Sequence, residues 1–127
     1  MILSSTSNDL KVERVLFEVA EVIEKELYCF VYLCCDSCCF IPYAYYDDIV
    51  GEINIDGSLS NFEKLVALSH EVGHLLDDSK TTNVVQGELN AWHLGYKFML
   101  QEFIAIEPEE YFDTMYQCLS EYIEKEK

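Results

Sequence analysis

Positive charge is what this 127-residue chain has least of. Lysine and arginine together number eight, with Arg14 the single arginine, against 24 aspartates and glutamates. The resulting net charge of −16 argues against direct nucleic-acid binding, which needs a cationic surface to meet phosphates, and against anionic membranes. Proline stands only at positions 42 and 108, and glycine occurs five times. No Pro/Gly/Ser-rich linker and no internal repeat divides the chain, so residues 1–127 read as one domain. A chain of this length buries roughly two-thirds of its unfolded surface and needs no staples. No apolar run approaches the ~20 residues of a membrane span. Met1 to Asp9 lacks the basic and apolar regions of a signal peptide, so the expectation is a cytoplasmic protein.

Half the residues are hydrophobic, and their spacing divides the chain into elements. Asp9 is placed to cap a first helix, in which Val12, Val15, Leu16, Val19 and Ile23 recur at helical intervals. From Tyr28 to Tyr46 the texture turns aromatic and β-branched, which predicts two strands joined as a hairpin at Asp36-Ser37. Glu52 to Asp56 alternates between Gly51 and Gly57 and predicts a third strand. Helical periodicity returns over about 59–78 through Phe62, Leu65, Val66, Leu68, Val72, Leu75 and Leu76, then over about 86–103 and 108–124. The expected class is α+β: an N-terminal helix, a three-stranded antiparallel sheet, then three helices packed on it.

Histidine is scarce too, with three in the chain, yet two of them form the run His70-Glu71-Val72-Gly73-His74. This H-E-x-x-H falls inside the most strongly helical segment. Four residues along an α-helix turn about 400°, so both imidazoles leave one face and can grip one ion, Zn2+ by the chemistry of the set. Glu71 is then placed to take a proton from a water that the metal has acidified. The competing reading makes His70 and His74 hydrogen-bonded core residues and Glu71 a surface charge. Burying two imidazoles and a carboxylate without a partner is costly, which favours the metal.

A catalytic zinc needs a third protein ligand and one open position. Positions 77 and 80 are Asp77 and Lys80, so H-E-x-x-H-x-x-G-x-x-H is absent. Glu88 is the favoured third ligand, because it opens the next helix just beyond a loop long enough to reverse direction. Ala91, one turn on, is small enough to let that helix approach. A solvated acid at a helix N-terminus is the alternative for Glu88. His93, Asp77 and Asp78 are the competing ligands, though the two aspartates better suit ending the helix or orienting an imidazole.

The segment Asn61 to Leu76, with Ser69-His70-Glu71-Val72-Gly73-His74-Leu75-Leu76 at its centre, resembles the active-site helix of the ImmA/IrrE-type metallopeptidases. Glu88-Leu89-Asn90-Ala91-Trp92 is similar to that family's E-x-x-A helix, and the strand at 52–56 stands where the family places one. The resemblance covers roughly positions 50–100. It implies a small zincin-like domain and a cytoplasmic, gluzincin-like endopeptidase that cleaves a transcriptional repressor. By the same resemblance His70, His74 and Glu88 bind zinc and Glu71 is the base. The chain departs from the family in its short loop before Glu88 and in having no room for a large accessory domain.

Net charge suggests a basic protein or peptide as substrate, laid along an open edge of the strand Glu52–Asp56. His93 and Tyr96 are candidate oxyanion donors. Cys34, Cys35, Cys38 and Cys39 contain one C-x-x-C, but no second pair follows to complete a zinc ribbon. They read as free thiols, with metal binding or disulfides as alternatives. A different class of function also fits the acidity: a non-catalytic interaction protein that keeps the fold and blocks a basic partner.

Overall fold

The computed structural model of the protein describes residues 2–35, 44–47 and 51–126. In chain order the elements are β1 (Ile2–Leu3), α1 (Asp9–Glu26), β2 (Phe30–Cys35), β3 (Ala44–Asp47), β4 (Glu52–Asp56), α2 (Asn61–Leu76), α3 (Val84–Gln101), β5 (Ala105–Ile106) and α4 (Pro108–Glu126). The class is α+β, but the expected sheet and the expected helical start are both corrected. The chain opens on a strand, and β1 pairs in parallel with β5 as a separate two-stranded ladder.

The main sheet has the order β2-β4-β3 and is mixed, not antiparallel. Strand β4 pairs in parallel with β2, Val31 opposite Ile53, and antiparallel with β3, Tyr46 opposite Ile53. The predicted hairpin between the two aromatic strands is therefore absent, because β4 lies between them; its proposed turn at Asp36-Ser37 falls outside the described residues. Alternation along a strand reports which face is buried and says nothing about which strands flank it. In β4 itself the residues at the strand centre, Ile53, Asn54 and Ile55, are all buried. A strand paired on both sides offers no open edge, so the substrate path expected along Glu52–Asp56 is also corrected.

The helices follow their sequence signals closely. Helix α1 buries Val12, Leu16, Val19, Ala20 and Ile23. Its cap is Asn8, whose side chain accepts the Lys11 N–H, while Asp9 is the first helical residue and adds favourable charge there. Helix α2 starts with a full capping box: the Ser60 hydroxyl accepts the Glu63 N–H, and the Glu63 carboxylate accepts the Ser60 N–H. Asp77 ends α2, its N–H bonded to the His74 carbonyl. Asn83 caps α3 by accepting the Gln86 N–H.

Helices α2 and α3 run antiparallel and touch backbone to backbone at two points. Gly73 lies on the Ala91 main chain, and Gly95 lies on the Ser69 carbonyl; a Cβ at either glycine would overlap that neighbouring backbone. Alanine in place of a helix-interior glycine ordinarily gains about 1 kcal/mol of helix propensity. Here the overlap outweighs it, because backbone atoms cannot swing aside. We expect Gly95→Ala to lower unfolding stability by about 1–3 kcal/mol, read as a lower denaturant midpoint with unchanged slope. A rise in the midpoint would contradict the close crossing.

Candidate metal centre

The close crossing decides what meets across it. Ser69 and Gly73 each precede a histidine, and Glu88 lies one turn before Ala91 on the approaching face of α3. The Nε2 atoms of His70 and His74 stand 3.2 Å apart, and Glu88 Oε2 is 2.9 Å from each. Glu71 is buried beside them, and its carboxylate and the two imidazoles offer donor atoms within 4.8 Å of one another. Tetrahedral zinc with bonds of about 2.0–2.1 Å has donor–donor edges of about 3.3 Å. The triangle of two nitrogens and one oxygen is slightly inside that size, so the donor set fits a small divalent ion with little movement.

Ring packing fixes the imidazoles. His70 stacks on the indole of Trp92, centroids 4.2 Å apart and planes 21° from parallel, and meets His74 edge-on at 4.6 Å. Among the described residues, its buried Nδ1 has no hydrogen-bond partner. Orienting carboxylates or carbonyls usually occupy that position on a liganding histidine; at His70 the indole face holds the ring instead.

The proton affinities of the cluster split in opposite directions. Burial pushes the Glu71 carboxyl up to about 7, His74 pulling against it and the charge of Glu88 adding to it. Burial acts on Glu88 the same way, but hydrogen bonds from His70 and His74 outweigh it and hold its carboxyl far below the usual range. Burial disfavours the charged form of His70 and lowers its pKa. Burial opposes charge on His74 too, yet the hydrogen bond and charge of Glu88, with Glu71 and Asp77, raise its pKa. In the metal-free cluster Glu88 is thus held as the anion, charge is favoured on His74 and disfavoured on His70, and the carboxyl of Glu71 titrates near neutrality.

Other sequence candidates fall elsewhere. His93 is exposed and packs on Phe112, centroids 5.5 Å apart. The Tyr96 hydroxyl donates to the Ile106 carbonyl at 3.2 Å, so it is committed to the scaffold. Asp78 is exposed, and Asp77 accepts the Ser79 N–H at 3.0 Å while its charge acts on His74. Cys29 is a buried free thiol and Cys118 a half-buried one. Cys38 and Cys39 lie outside the described residues, as do the side chains of Cys34 and Cys35. Sequence reading missed Tyr122 on α4, which lies near enough to Glu88 to feel its charge. Burial and the charge of Glu88 push its hydroxyl up to about 12.

No family model, curated protein or solved structure matches this chain. The likeness to the ImmA/IrrE-type peptidases thus rests on the His70-Glu71-x-x-His74 motif and the residues around it, and membership of that family is not established by homology. Among the described residues, no helix is long and apolar enough to cross a membrane.

The split affinities carry a sign that can be measured. A buried acid whose pKa rises on folding stabilises the fold below its unfolded value of 4.5, and that contribution is lost as pH rises toward 7. The raised His74 acts in the same direction and the lowered His70 against it. Metal-free protein should therefore melt at a lower temperature at pH 7.5 than at pH 5.5. Glu71→Gln should flatten much of that slope; a slope untouched by the substitution would place its origin elsewhere.

Proposed function

We propose that the protein is a zinc-dependent metalloendopeptidase in which His70, His74 and Glu88 hold the metal and Glu71 is the general base. The observation that carries this reading is the convergence of both Nε2 atoms on one oxygen of Glu88, 2.9 Å from each, with the carboxyl of Glu71 buried alongside. Bound zinc supplies Lewis acidity, polarising a carbonyl and making water easier to deprotonate near neutral pH. A nearby divalent cation also lowers the proton affinity of a carboxyl, so Glu71 is ionised at neutral pH when the site is loaded. Glu71 then accepts a proton from water and returns it to the leaving amine, a general acid–base exchange worth about 10²–10⁴-fold in rate. Exposure suits a working site: the side chains of His70, Glu88 and His74 keep 14%, 13% and 29% of their surface open.

The substrate proposed is a protein or peptide. A basic one suits the −16 charge, and by resemblance it is a transcriptional repressor. A cytoplasmic setting, where thiols stay reduced, accords with the free Cys29 and Cys118. The same acidity favours a second reading, a non-catalytic protein that binds a basic partner.

Elemental analysis of wild-type protein should give one zinc per chain, and Glu88→Ala should lose most of it. Glu71→Gln should retain the metal while peptide cleavage falls by about 10²-fold or more. Function unchanged in Glu71→Gln would select the binding protein over the enzyme. A second readout is built in. Trp92 is the chain's only tryptophan and stacks on His70, so Co2+ should quench its emission in wild type and much less in His70→Ala. Emission indifferent to Co2+ would count against a metal at this ring.

A further inference from the structure

The indole that covers His70 is itself boxed in. Trp92 is 3% exposed, and the Tyr111 ring of α4 stands edge-on to it, centroids 5.3 Å apart and planes at 75°. The Tyr111 hydroxyl donates to the Trp92 carbonyl and receives the Ser69 hydroxyl of α2 at 3.3 Å. The residue before His70 and the residue stacked on it therefore share one buried anchor. Trp92 also lies one helical turn beyond Glu88, so the cover on one imidazole and the carboxylate that faces it come from the same side of α3.

We propose that Trp92 is a positioning residue for the metal centre: its indole face fixes the rotation of the His70 ring and keeps Nε2 aimed between His74 and Glu88, so that metal affinity depends on a flat aromatic surface at position 92. This rests on the zinc reading of the site. Rotation about the Cβ–Cγ bond of a histidine is broad, because that torsion lacks the three sharp wells of an aliphatic one. Turning the ring about this bond swings Nε2 sideways, away from an ion. A hydrogen bond at Nδ1 is the usual brake on that motion. Among the described residues His70 has no such bond, and a planar neighbour 4.2 Å away and 21° from parallel opposes the same rotation, since a turned ring would drive its edge into the indole. Tyr111, bonded to the main chain of Trp92 and packed on its ring, keeps the indole from following. Partners that orient a metal-binding side chain are typically worth about 10–100-fold in metal affinity. Trp92 touches the ligand rather than any reacting group, so its effect belongs to binding and not to chemistry.

The test is zinc affinity by chelator competition in full-length wild type, Trp92→Phe, Trp92→Leu and Val19→Ala, with metal-free melting temperatures alongside. Trp92→Phe keeps a flat face and should bind zinc close to wild-type strength. Trp92→Leu stays apolar but offers no plane, and it should bind zinc about 10-fold or more weaker. Val19→Ala trims the buried core on α1, a helix that gives the cluster no residue; it should lower the melting temperature and leave zinc affinity unchanged. Bound Co2+ adds a readout that stability does not move: its visible absorption reports ligand geometry, and should shift in Trp92→Leu but not in Trp92→Phe. Equal zinc affinity in wild type and Trp92→Leu, or equal losses in Trp92→Leu and Trp92→Phe, would overturn the positioning role and leave the zinc reading standing. A loss in Val19→Ala matching that in Trp92→Leu would overturn it as well, by tracing the effect to a general softening of the fold. If Trp92→Leu does not fold, Trp92→Met, apolar and without a plane, decides in its place by the same comparisons. A wild type that takes up no zinc would sink the metal reading and this inference with it.

Discussion

Everything at the candidate centre depends on how closely α2 and α3 approach. Packed helices ordinarily hold their axes about 8–10 Å apart, a distance set by the side chains between them. At Gly73 against Ala91 and Gly95 against the Ser69 carbonyl there is no side chain to set it, and the backbones touch. The two contacts are one helical turn apart on each helix and run in opposite directions, which aligns the pair antiparallel over the length of the motif. Because the contact residues are the immediate neighbours of His70 and His74, the approach that packs the helices also delivers Glu88 to the imidazoles. A larger residue at either glycine would push α3 away and leave the carboxylate short of both rings.

That geometry gathers two carboxylates and two imidazoles into little space, and their charges have to be reconciled. Without a metal, protons do it: Glu88 gives up its own, His74 gains affinity for one, and Glu71 holds its proton to near neutrality. A divalent ion binds the deprotonated forms of these ligands, so ion uptake and proton loss at the cluster would be one equilibrium. In a chain of net charge −16 an added cation also relieves repulsion throughout the molecule. The different environments of Glu71 and Glu88 give two chemically identical side chains different tasks, one an anion at all ordinary pH and the other exchangeable.

The parts of this structure that were legible in the sequence are the ones written locally. Helix periodicity located α1, α2, α3 and α4 to within a few residues, and the run Ser60-Asn61-Phe62-Glu63 spells out the capping box that starts α2. His70 and His74 share a face by helix geometry alone, and the segment Glu52–Asp56 is a strand with the expected bounds. The strand order was not legible. Pairing β4 with β2 in parallel joins segments about twenty residues apart, and both β1 and β5 are two residues long, too short to carry any period. Tyr122 escaped for a related reason. One of nine tyrosines, in a helix rich in acid side chains, is singled out only by where α4 lands on α3.

Helices α2 and α3 thus meet at one carboxylate, and this bears on whether a metal here would be structural or reactive. A structural zinc is commonly enclosed by four protein ligands, often several of them thiolates, and its loss unfolds the domain. Here the fold has its own core, from Leu16, Ile23, Ile53, Ile55, Leu65 and Leu68 through to Tyr111, most of it remote from the histidines in sequence and all of it buried. The helices α2, α3 and α4 are joined by backbone contact and by the Ser69–Tyr111–Trp92 hydrogen bonds. With His74 partly open to solvent and a carboxyl pushed up to about 7 beside it, the cluster has features that suit exchange with water more than closure. A closed structural site would bury His74 and would have no use for the proton affinity of Glu71.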